Sequence, residues 1–140
     1  MKTMLFVVAM VSAPAMASAI QDGAYKGSAQ WKSSTQGAGT YEVTTTITGE
    51  TVNSTYVFDG QTKTWNFTAK VNANSTFDVI SDGQKVGDGY CLDVQCHYSA
   101  FYGNLEETLT FYGDNLYNLG SKSEDGAKIM WQEQLSKAAR

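Results

Sequence analysis

From Tyr25 onward the chain alternates apolar and polar positions with a period of two. Tyr25, Gly27, Ala29 and Trp31 share one face, and Lys26, Ser28, Gln30 and Lys32 the other. Tyr41, Val43, Thr45 and Ile47 oppose Glu42, Thr44, Thr46 and Thr48 in the same way. The inner set continues through Val52, Ser54, Tyr56 and Phe58, then Trp65, Phe67, Ala69 and Val71, then Phe77 and Val79. It resumes at Leu105, Glu107, Leu109 and Phe111, and again at Ala127, Ile129, Trp131 and Glu133. Successive side chains of a strand point to opposite faces, so this period predicts strands with one buried face.

Turn chemistry divides the runs. Asp59-Gly60 and Asp82-Gly83 are two-residue hairpin signals, since a type I′ turn needs positive φ at both central residues. Gly49-Glu50, Gly103-Asn104, Gly113-Asp114 and Asp125-Gly126 are weaker versions. Hairpin after hairpin makes an antiparallel meander. An open meander this long would leave edges that invite aggregation, so it must close. The expected fold is all-β: an up-and-down meander of about 8–10 strands closing into a small barrel, with a two-sheet sandwich as the alternative.

The alternation does not reach the first residues. Met1-Lys2-Thr3 carries one positive charge, Met4 to Val11 is apolar, and Ala17-Ser18-Ala19 is a small-x-small cleavage pattern. Residues 1–19 therefore read as a signal peptide cut after Ala19, with Ala17 as a second cut point. The apolar run is too short to cross a bilayer. The expected product is one secreted or periplasmic domain, residues 20–140, with Ser136 to Arg140 frayed. Without Lys2 it carries 9 basic against 14 acidic groups, and no basic cluster. Nucleic acid and anionic membrane surfaces are poor partners for that balance. A monomer without a membrane span is expected.

Export changes the reading of Cys91 and Cys96. In an oxidising compartment the default is a disulfide. Two other uses are open. Both thiolates with His97, and Asp93 as a fourth ligand, could hold a metal ion. The Cys-x4-Cys-His spacing also resembles one found in some multihaem cytochromes, which would make His97 the proximal and Met130 a distal haem ligand. Neither cofactor is expected. The triplets at Asn53, Asn66 and Asn74 fit a glycan acceptor pattern. They read better as products of Thr-rich strands.

Seventeen aromatic residues is a heavy load for this length. Many share the inner face, where they either fill the barrel solid or line a cavity. Tyr41, Tyr56, Trp65, Glu107 and Trp131 are the candidate lining residues. Glu107 is unusual because its parity places a carboxylate among Leu105, Leu109 and Phe111. It is either solvated near a barrel mouth, paired with a lysine such as Lys63, or a polar handle within a ligand cavity. Glu106 faces the other way, so the two adjacent carboxylates cannot form an acid/base pair. The chain has one His and no nucleophile elbow, phosphate loop or zinc-protease helix. A non-catalytic protein is expected.

The segment Asp22-Gly23-Ala24-Tyr25-Lys26-Gly27-Ser28-Ala29-Gln30-Trp31 resembles the first strand of calycin, or lipocalin-like, barrels. Tyr25 stands where lipocalins carry Trp. The late Arg that caps that Trp has no counterpart, because the only Arg is Arg140. The resemblance implies a barrel that binds a small, mostly apolar molecule. The alternative is a protein-binding module, such as an inhibitor of an extracytoplasmic enzyme. A solid core with a protruding loop at Cys91–Cys96 would mark that alternative.

Overall fold

The structure, a computed structural model, describes residues 20–138. The expected signal peptide lies outside them. Ten strands run in order: β1 Gly23–Ser33, β2 Gly37–Thr48, β3 Thr51–Phe58, β4 Gln61–Val71, β5 Thr76–Ser81, β6 Gln84–Leu92, β7 Gln95–Ala100, β8 Leu105–Tyr112, β9 Asn115–Glu124 and β10 Ala127–Lys137. Each pairs antiparallel with its neighbours in sequence, and β1 pairs with β10, so the meander closes into a barrel. The sandwich alternative is thereby set aside.

Closure also corrects the expectation of a frayed end from Ser136. Ser136 and Lys137 pair with Lys26 and Tyr25 in the closing seam. The seam gives their backbone groups partners that a free tail would lack.

The Asp-Gly turns behave as their chemistry demands. Asp59 and Gly60 have φ of 53° and 72°, and Asp82 and Gly83 have 50° and 74°. Asp125-Gly126 adopts the same pair of left-handed conformations, 50° and 77°. In each, the strands leave in register with their twist.

A meander has two unlike ends. Connections 34–36, 59–60, 82–83, 101–104 and 125–126 lie at one end. The other four connections, the start of β1 and the end of β10 lie at the opposite one. Large, fully buried side chains crowd that second end: Tyr25, Ile47, Phe77, Phe111, Leu116 and Leu135. Tyr25 meets Phe111 edge-on at 6.2 Å, and its hydroxyl donates to the Gln21 carbonyl oxygen at 3.0 Å. The chain entering β1 thus helps plug this end. The disulfide Cys91–Cys96 joins directly opposed residues of β6 and β7 beside the plug, with both cysteines buried.

Candidate functional site: a cavity with two buried carboxyl groups

The inner positions toward the other end are aromatic yet only half-buried. They surround a cavity of about 370 Å³. Tyr41, Tyr56, Trp65, Glu107 and Trp131 all line it, together with Trp31, Phe58, Phe101 and Glu133. The structure therefore brings all five nominated residues to one space.

Register explains why the space stays open. Trp31 and Trp131 face each other across the β1–β10 seam, flanked by Gly39 on β2 and Gly120 on β9. A Cβ at Gly120 would stand 2.2 Å from the Trp131 ring, and one at Gly39 would stand 2.8 Å from the Trp31 nitrogen. The indoles lie along the wall because these glycines leave room beneath them. With side chains there, the rings would be pushed into the lumen.

The polar part lies deeper. Glu107 on β8 accepts from the Tyr98 hydroxyl on β7, and from Asn118 Nδ2 on β9 at 3.2 Å. The same Asn118 Nδ2 donates to Glu133 Oε1 on β10 at 2.8 Å. Tyr41 on β2 donates to Glu133 Oε2 at 2.7 Å, reaching across the intervening Ala29 of β1. Trp65 Nε1 on β4 donates to the Tyr98 oxygen at 2.8 Å. One polar chain, Trp65–Tyr98–Glu107–Asn118–Glu133–Tyr41, thus spans six of the ten strands.

Its electrostatics are set by burial. Glu107 and Glu133 are 8% and 5% exposed. Burial pushes the Glu107 carboxyl up to about 7, and the Glu133 charge adds to it, while hydrogen bonds from Tyr98 and Asn118 pull against the shift. Burial raises Glu133 as well, opposed by Tyr41 and Asn118. The Tyr41, Tyr56 and Tyr98 hydroxyls are all held above the usual tyrosine range, by burial first and then by the nearby carboxylates. Every donor to the two carboxyl groups is neutral. Asn118 Oδ1 is buried with no hydrogen-bond partner.

Two of the options for Glu107 fall here. It is buried, not solvated at the mouth, and Lys63 does not pair with it. The Lys63 ammonium instead lies over the Phe58 ring, 5.3 Å from its centre, near the rim. There the long stem reaches water without crossing the aromatic wall. Lys122, also at the mouth, pairs with Glu124 at 3.1 Å.

The Cys91, Cys96 and His97 set is not assembled as a ligand group. The two sulfurs are bonded to each other. His97 sits on the opposite face of β7 from Cys96, with Nδ1 2.9 Å from Thr108 Oγ1 and its ring against Tyr90. Met130 is half exposed on the outer face of β10.

Tyr98, Asn118 and Glu133 complete the site without having been nominated from sequence. Glu133 shared the inner parity with Trp131. Tyr98 has the parity of Cys96, and Asn118 that of Leu116 and Gly120. Those parities were the available signal. No protein family, curated protein or solved structure matches this chain.

Proposed function

We propose that the chain is an exported, non-catalytic protein that binds a small molecule inside its barrel. The carrying observation is the aromatic-walled cavity of about 370 Å³, open at one end and furnished at depth with two carboxyl groups. Concave sites with apolar walls and a few convergent polar groups are where small ligands bind. A closed antiparallel barrel is compatible with a calycin-like ancestry, and the disulfide suits an oxidising compartment. A protein-binding module such as an inhibitor calls for a protruding loop at the cysteines. That connection is only the turn 93–94, and both cysteines face inward.

Native mass spectrometry of the protein from its own host tests the proposal. The expected species begins at Ile20, has lost two hydrogens, and carries a small-molecule adduct that dissociates on denaturation. Bare protein that gains no adduct from a small-molecule extract of that host would overturn it.

A further inference from the structure

The ligand class can be read from what the two carboxyl groups lack. Each sits in the cavity wall with neutral donors only: Tyr98 and Asn118 on Glu107, Asn118 and Tyr41 on Glu133. None of the ion pairs among the described residues involves either one. A buried carboxylate ordinarily has a cation beside it, because leaving the charge uncompensated is costly. A carboxylate oxygen also has two lone pairs, so each still has room for a further donor. The Oδ1 of Asn118, whose Nδ2 bridges the two carboxyl groups, is a further buried acceptor lacking a partner.

The walls carry the same preference. Trp31, Trp65, Trp131, Tyr41 and Tyr56 present rings around the space. Aromatic faces attract cations, Trp most strongly. The lysines at the mouth are already engaged, Lys63 over Phe58 and Lys122 with Glu124, so they leave the interior without positive charge.

We infer that the cavity takes a small organic ammonium ion, its charged head between Glu107 and Glu133 and its apolar body against the tryptophan and tyrosine rings. The inference rests on the small-molecule reading above and names its ligand. A mostly apolar body remains, as the sequence suggested; what is added is a positive head. A carboxylate ligand such as a fatty acid would bring a third negative charge to the same place.

Titration calorimetry with three soluble probes of similar shape tests this: 2-phenylethylammonium, uncharged 2-phenylethanol and anionic phenylacetate. The cation is expected to bind at least about tenfold more tightly than the alcohol, and phenylacetate most weakly. In Glu133→Gln the ratio of cation to alcohol affinity should fall towards one. Should that variant fail to fold, the wild-type protein gives an independent reading. Its preference for the cation should grow from about pH 6 to about pH 8, as the Glu107 proton is lost.

Alcohol or phenylacetate binding as tightly as the cation overturns the inference while leaving the small-molecule reading standing. A preference that is flat with pH, or unchanged in Glu133→Gln, overturns it too. If none of the three binds, the ammonium assignment falls, and the adduct in the native mass spectrum decides the broader reading separately.

Discussion

Glu107 and Glu133 share a single donor. Asn118 Nδ2 lies 3.2 Å from one carboxyl group and 2.8 Å from the other, so one amide bridges two acids from adjacent sides of β9. Two negative charges held this way in a poorly solvated interior repel each other. At least one gains by keeping its proton.

That has a consequence for stability against pH. The Glu107 carboxyl titrates at about 7 when folded, against 4.5 ordinarily. A group that binds its proton more tightly in the native state favours folding most where the proton is bound, and folding weakens as pH rises through the range in which the native state alone still holds it. Its contribution is complete at acid pH and is lost as pH rises from about 4.5 to about 7. At about 1.4 kcal/mol per unit, the loss is about 3 kcal/mol. Glu133 shifts in the same direction and adds to the effect. Denaturant unfolding should therefore find the protein more stable at about pH 5 than at about pH 8, the reverse of a protein dominated by surface ion pairs.

Removing the acid tests the network itself. Glu107→Leu strands the Tyr98 hydroxyl and one Asn118 hydrogen in the interior. At about pH 5, where the native acid is neutral, the substitution should cost about 1–3 kcal/mol. At about pH 8 the difference should narrow, because the wild-type protein has lost its own proton-linked stability. Chemical denaturation at the two pH values reads both numbers.

Gly120→Ala should close the site from the wall. Its new Cβ would lie 2.2 Å from the Trp131 ring, which has no slack on the sheet side. The indole must swing into the lumen, at a stability cost of about 1–3 kcal/mol. Probe binding should drop with it, whereas a loss of stability without loss of binding would show that the ring retreats elsewhere.

The Phe101-Tyr102 turn at the mouth stores strain. Both residues have positive φ, 54° and 58°, a region that bulky side chains rarely occupy. Phe101 is held by contact with Trp65 at 5.8 Å, but Tyr102 is fully exposed. Tyr102→Asn keeps the backbone and removes a poorly suited side chain, so thermal unfolding should shift upward by about 1 kcal/mol equivalent.

Reducing the disulfide should weaken the barrel without unfolding it. The closed ring spans a sequence separation of only 5, for which chain entropy gives roughly 2 kcal/mol. The double variant Cys91→Ser, Cys96→Ser should still fold, and its cavity, at the other end of the barrel, should bind the probes as before. Loss of binding would tie the closed end to the open one.

The strands whose alternation is strict were legible in the sequence, from Tyr25–Trp31 through Leu105–Phe111, and the aspartyl-glycine turns fixed their connections. Strands β6 and β9 were harder. Gly87 and Gly89 dilute the apolar face of β6, and Asn118 and Gly120 do the same on β9. The two on β9 build the site, because a polar amide and a missing side chain are what it needs there. Glu107 stood out in sequence because a lone carboxylate broke an apolar face. That Glu133, 26 positions later, is its companion depends on β9 lying between them in the closed sheet. No local pattern carries that distance.

The chain has three tryptophans, Trp31, Trp65 and Trp131, and all three stand in the cavity wall. Their fluorescence therefore comes wholly from residues around the proposed ligand space. An occupant should change the emission colour or quantum yield of the unlabelled protein, so the barrel carries its own optical gauge of occupancy.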